Sequence, residues 1–187
     1  MSFLSEDTFF YKNAGESWSQ SVSGDGTYRF EVRDGDYYVN PRGTDPDSDE
    51  AQGKNRSELV TLQKLQEGRA FTFDFDFMVE PGASNTADWL LLAQFHQTED
   101  IAADGTLLDS AAASPPLALQ LRGERLGIVG RADQNASTVV SPPNIQMYLA
   151  DDPIVRGQFY NIRFEMVFDD AIGGEGRLRV FLDGVQI

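Results

Sequence analysis

The chain has no cysteine, which removes disulfides, thiolate zinc sites, iron–sulfur clusters and cysteine nucleophiles together and leaves core packing to hold the fold. Histidine occurs once, as His96, so a multi-histidine metal centre is excluded and at most one imidazole acid or base is present. Cations are scarce. Fifteen Lys and Arg stand against 30 Asp and Glu, giving a formal net charge of -15 and a pI near 4.3. A general nucleic-acid role needs a basic face and is disfavoured. No apolar run approaches the roughly 18 residues of a membrane span. The stretch MSFLSEDTFFYKN has acids where an export signal needs a basic segment and then an apolar one, so no export signal is read there.

What is present is a chain of 187 residues, 41% hydrophobic, with 17 Gly, 8 Pro and 13 Phe, which suits one compact domain over residues 1–187. Alternation of period two dominates. In Phe71-Thr-Phe-Asp-Phe-Asp-Phe77 four Phe face one way and Thr72, Asp74 and Asp76 the other, the pattern of a strand lying over a core. The same rhythm marks residues 28–33, 117–122, 162–168 and 178–182, with turn signals at Asp34-Gly35, Pro81-Gly82, Gly173-Gly174 and Asp183-Gly184. No window beyond about three turns keeps a helical period, and TLQKLQEG (61–68) reads as a short helix or as a strand end. Many short strands with turns between them predict an all-β, antiparallel sandwich or jelly roll. Segments 97–116 and 132–144 read as long exposed loops. The close, Leu178-Arg-Val-Phe-Leu-Asp-Gly-Val-Gln-Ile187, reads as a strand, a tight turn and the first residues of a returning strand, so a further strand is expected past Ile187.

Two segments could carry chemistry. In Arg56-Ser57-Glu58-Leu59 an extended backbone puts Arg56 and Glu58 on one face. In Trp89-Leu-Leu-Leu-Ala-Gln-Phe-His96 the same alternation puts Trp89, Leu91, Ala93 and Phe95 on one face and Gln94 with His96 on the other. If the two strands lie near one another in one sheet, a guanidinium, an amide and an imidazole converge. That set suits removal of the proton α to a uronic acid carboxylate. Donors on the carboxylate stabilise the enolate-like transition state, a base takes the C5 proton, and an acid protonates the departing O4. Histidine suits the base because much of it is neutral at about pH 7 to 8. The plainer alternatives are a structural histidine and a surface Arg–Glu pair worth about 0 to 1 kcal/mol.

Arg56-Ser-Glu-Leu59 and Gln94-Phe-His96 resemble the RSEL and Q-x-H motifs of jelly-roll polysaccharide lyases. The lead-in Arg29-Phe-Glu-Val-Arg33-Asp-Gly35, with Asn55 before Arg56, is similar to the heparin lyase I-like and glucuronan lyase-like branch, related to alginate lyases, as are Gln158–Arg163 and Arg179–Val185. The resemblance implies a concanavalin A-like jelly-roll sandwich and β-elimination of an acidic, uronic acid-containing polysaccharide. It implies Arg56 and Gln94 as carboxylate donors, His96 as base or neutraliser, and Glu58, Arg33 and Asn55 as substrate-binding residues. It implies no catalytic metal and no cofactor, with a structural calcium ion as the one addition, and secretion or a periplasmic location. These lyases carry a catalytic Tyr on a late strand in a Tyr-x-Lys-x-Gly-x-Tyr-like stretch, which is missing before Ile187. The chain is therefore expected to be C-terminally truncated, or else to be a non-catalytic carbohydrate-binding module.

Other patterns argue little. Asp45-Pro-Asp-Ser-Asp-Glu50 alternates acids as calcium loops do, but an EF-hand would need Gly at 50 and Glu at 56. Asn55-Arg-Ser57 and Asn135-Ala-Ser137 match glycosylation sequons.

Overall fold

The computed structural model describes residues 10–14, 16–37, 49–61, 64–98, 100–109, 114–132, 141–169 and 174–187. Every regular element among them is a strand, and every pairing is antiparallel. The chain divides into two compact units, Met1–Leu65 and Gln66–Ile187.

In the first unit β1 (Phe10–Ala14) pairs with β4 (Ser57–Thr61), and β2 (Gln20–Val22) pairs with β3 (Tyr28–Phe30). The alternation over residues 28–33 is thus a strand only as far as Phe30. Beyond it the backbone turns at Asp34-Gly35, with Gly35 at φ 87°. Of TLQKLQEG, Thr61 ends β4, residues 62–63 lie outside the described residues, and Glu67-Gly68 form a turn. The strand-end reading holds. Residues 45–48 of the acidic stretch lie outside the described residues, as do Asn135-Ala136-Ser137 and Gly173.

The second unit is a sandwich of jelly-roll type. One sheet has the order β11 (Ile145–Pro153), β10 (Arg125–Gly130), β9 (Leu117–Arg122), β6 (Leu90–Phe95). The other has the order β14 (Val185–Gln186), β13 (Arg177–Leu182), β12 (Phe159–Val167), β5 (Ala70–Met78). The register sets Phe71, Phe73 and Phe75 opposite Met166, Phe164 and Ile162, and these opposite Leu178, Val180 and Leu182, so one face of the sheet is continuously apolar. It meets Leu117, Leu119, Leu121, Leu126 and Ile128 of the other sheet in a single buried cluster. Phe95 crosses between the layers, edge-on to Phe164 and to Phe73 with centroids 5.5 Å away in each case. A fully buried Phe or Leu contributes roughly 1.5–3 kcal/mol of transfer free energy, which is how a chain without disulfides holds together.

Two turns follow from their residues. Asp183 at φ 49° and Gly184 at φ 80° make the two-residue turn that matches strand twist, and Val185-Gln186 return along β13 as the Asp-Gly signal predicts. Segment 97–116 is more ordered than a plain loop. It holds a hairpin of β7 (Asp100–Ile101) and β8 (Leu107–Asp109), closed at Asp104-Gly105 by Ala102 N–H donating to the Thr106 carbonyl at 2.8 Å.

Candidate functional site

The face assignment expected for β6 needs correction. Between Leu91 and Ala93 the pairing with β9 slips, leaving Leu92 as an extra residue. Such a bulge reverses the phase of alternation. Leu90 and Leu92 before the slip, and Ala93 and Phe95 after it, pack on the core, so Trp89 and Leu91 do not share the face of Ala93 and Phe95. Gln94 and His96 lie downstream of the slip and stay on the outer face.

On that outer face the register brings Gln94 beside Ala118 of β9, with Gln120 and Arg122 following along the same strand. Gln146 of β11 joins them opposite Val129. Its position has a local cause. Between Ile128 and Val129 the ladder to β11 is irregular, and the Gln146 amide donates to the carbonyls of Ile128 at 3.0 Å and Tyr148 at 2.5 Å. Gly127 permits this, since a Cβ there would stand 3.3 Å from Gln146 Nε2. The Gln146 carbonyl oxygen accepts from Arg122 Nη1 at 3.2 Å. The outer face is therefore lined by amides. Gln120, Arg122 and Gln146 were not singled out from the sequence, although the Leu-Ala-Leu-Gln-Leu-Arg alternation already puts Gln120 and Arg122 together.

His96 follows directly on β6 and is exposed. Its Nδ1 stands 3.0 Å from the Gln97 carbonyl oxygen. A carbonyl only accepts, so the contact calls for the proton on Nδ1, and in the neutral ring the lone pair then lies on Nε2.

Arg56 belongs to the first unit and pairs in a different sheet from Gln94: β4 is bonded to β1, and β6 to β9. Its Nε and Nη2 donate to the two oxygens of Asp49, each at 2.8 Å, and its Nη1 donates to Glu58 Oε1 at 2.7 Å. The Arg56–Glu58 face predicted from alternation is observed, with Ser57 turned the other way onto the Ser19 carbonyl. The Asp49 hydrogen bonds, then those of Glu58, raise the Arg56 pKa above the ordinary guanidinium value, against the opposing effect of burial. Arg56 N–H donates to the Asp36 carbonyl, and Asn55 Oδ1 accepts from Gly35 N–H at 3.0 Å, so the turn at 33–36 braces this segment. Arg33 lies over the Trp18 ring, 3.7 Å from its centroid, and donates to Glu31, which also accepts from Arg29. The bonds from Arg29 and then Arg33 hold the Glu31 carboxyl below its ordinary range.

The family model described as Polysaccharide lyase matches residues 12–187. The chain belongs to the polysaccharide lyase family. No curated protein and no solved structure matches it. In this lyase no group of three or more His, Asp or Glu that could hold a metal ion occurs among the described residues. Of its tyrosines, Tyr148 packs on the core, and Tyr160 stacks on Phe77 while its hydroxyl accepts from Val155 N–H. Tyr38 lies outside the described residues.

Proposed function

We propose that this polysaccharide lyase cleaves a uronic acid-containing polymer by β-elimination, with His96 as the base. The observation that carries the reading is the Nδ1 contact to the Gln97 carbonyl, which in the neutral ring leaves the Nε2 lone pair of this exposed residue available on the face shared with Gln94. Nε2 takes the C5 proton, a C4–C5 double bond forms as the C4–O4 bond breaks, and O4 leaves with the electron pair and accepts a proton. Gln94 donates to the substrate carboxylate as negative charge builds on it. Arg56 spends three of its five N–H groups on Asp49 and Glu58, and its role as a carboxylate donor rests on the other two. Glu58, Arg33 and Asn55 are proposed to bind substrate hydroxyls, and the tyrosine acid for O4 is the role the family resemblance adds. A secreted or periplasmic enzyme would meet such a polymer.

The test is to incubate the protein with alginate-, glucuronan- and heparin-like polymers and with a polymer whose uronic acids are separated by neutral sugars, following ultraviolet absorbance and product mass. Elimination gives an absorbing, unsaturated end on a product lighter by one water than the hydrolysed one. Hydrolysed ends, or polymer that is bound and never cut, would overturn the reading, the second result in favour of a binding module.

A further inference from the structure

The outer face of the β6–β9–β10–β11 sheet has its charges at its ends and its amides between them. At one end stand Arg122 and Arg125, which the register places opposite each other. At the other, Phe95, Leu117 and Gly130 are aligned, so His96 and Arg131 follow at that margin, where Arg131 N–H continues the ladder to the Pro116 carbonyl. Gln94, Gln120 and Gln146 occupy the levels between. From residue 116 to Arg122 a strand rises about 20 Å, at ~3.4 Å per residue, a span of several sugar rings.

Arg122 and Arg131 differ from most of the other described arginines. Arg122 donates to an amide oxygen and Arg131 to the Pro115 carbonyl, so neither is closed on a carboxylate. Arg156 is closed on Glu124, Arg163 and Arg179 face Glu165, and Arg56 lies between two carboxylates. Arg125 donates to the Ala150 carbonyl with Asp151 at 4.0 Å. The sequence after His96, residues 97–116, contains Glu99, Asp100, Asp104 and Asp109 and no Lys or Arg. A homopolymer of uronic acid would lay an anion on every ring over this strip, meeting neutral amides in the middle and a body of net charge -15 around them.

We propose that the polymer taken by this face is charge-sparse, its uronic acids separated by neutral sugars, with Arg122 holding a carboxylate several rings from the one that reacts at His96. The neutral sugars lie on Gln120, whose amide suits hydroxyls, and pass over Gln146, whose N–H groups are held by the Ile128 and Tyr148 carbonyls. Charge-matched spacing then selects the substrate, and dense polyanions are rejected by repulsion. This rests on the β-elimination reading above.

The experiment compares a homopolyuronate with a soluble polymer bearing one uronic acid per four-sugar repeat, by initial rates and by retardation in native gels containing each polymer. The salt series runs from about 0.05 to 0.5 M, across which screening of exposed charges goes from partial to nearly complete. The expected result is at least tenfold higher kcat/KM and stronger retardation on the sparse polymer. Added salt should improve the residual action on the homopolymer. Arg122→Gln should raise KM on the sparse polymer about tenfold, with partial rescue in Arg122→Lys. Stronger retardation by the homopolymer that fades with salt would overturn the proposal, and would do so whether or not product forms. Absence of product on every polymer, with the retardation order as expected, would refute the elimination reading and leave the charge-spacing proposal standing for a binding face.

Discussion

Arg56→Ala removes a two-pronged guanidinium partner from a carboxylate that has little access to water. The Asp49 side chain is 7% exposed and receives two 2.8 Å hydrogen bonds from one guanidinium, while the Arg56 side chain is 31% exposed and also holds Glu58. Breaking a fully buried ion pair costs about 3–5 kcal/mol because a charge is stranded, and an exposed pair is worth about 0–1 kcal/mol. With one partner buried and the other partly wet, the expected loss is about 2 kcal/mol. Arg56→Lys keeps the charge but loses the two-pronged geometry, and should lose about half as much. Asp49→Ala combined with Arg56→Ala should be less destabilising than Arg56→Ala alone, since no buried carboxylate then loses its guanidinium. The assay is urea unfolding followed by tryptophan fluorescence. Trp18 lies in the first unit and Trp89 in the second, so Trp89→Phe and Trp18→Phe backgrounds report each unit separately. The loss should register at Trp18. An unchanged midpoint in Arg56→Ala, or a double variant weaker than the single one, would refute the argument from the lost guanidinium.

Three further outcomes are expected. Glu124 is held by Arg156 and then by the Asn85 N–H, which together lower its pKa below the ordinary 4.5, so its contribution is complete above that value and fades as pH falls through the lower folded value. Glu124→Gln should therefore lower the melting temperature at pH 7, and the gap to wild type should shrink as pH drops below about 4.5 in thermal scans. Gly127→Ala should push the Gln146 amide off the Ile128 carbonyl, costing about 1 kcal/mol in denaturant unfolding and weakening polymer retardation in native gels. Gly184→Ala, at φ 80°, should cost about 1 kcal/mol in the same assay, and an unchanged midpoint would contradict the turn assignment.

The sandwich was legible where alternation was unbroken. Phe71–Phe77, Leu117–Arg122 and Leu178–Leu182 fall inside strands, the pattern over 162–168 does so up to Val167, and Asp183-Gly184 makes the turn its residues favour. The misreading of Trp89 and Leu91 has one cause: the slip at Leu92 lies in a run of three leucines, where no Gly or Pro marks a bulge and every residue suits either face. Gln146 was invisible for a related reason. What makes it part of the outer face is a second irregularity, in the β10–β11 ladder, which its own amide fills. Arg56 with Glu58 was read correctly as a pair, but Asp49, seven residues away across a turn, gives no periodic signal. Short-range patterns place residues on faces, whereas long-range closure decides which charges they meet there.

The central claim, that this lyase works through His96, is tested most directly by ultraviolet absorbance with His96→Ala beside the wild type on uronic acid-containing polymers. Because His96 is exposed and its ring contacts the Gln97 carbonyl, the two proteins should share an unfolding midpoint. The variant should nevertheless lose about 10² to 10⁴-fold in rate, the range for a positioned base. Equal rates in the two proteins, or a variant that unfolds, would contradict the account.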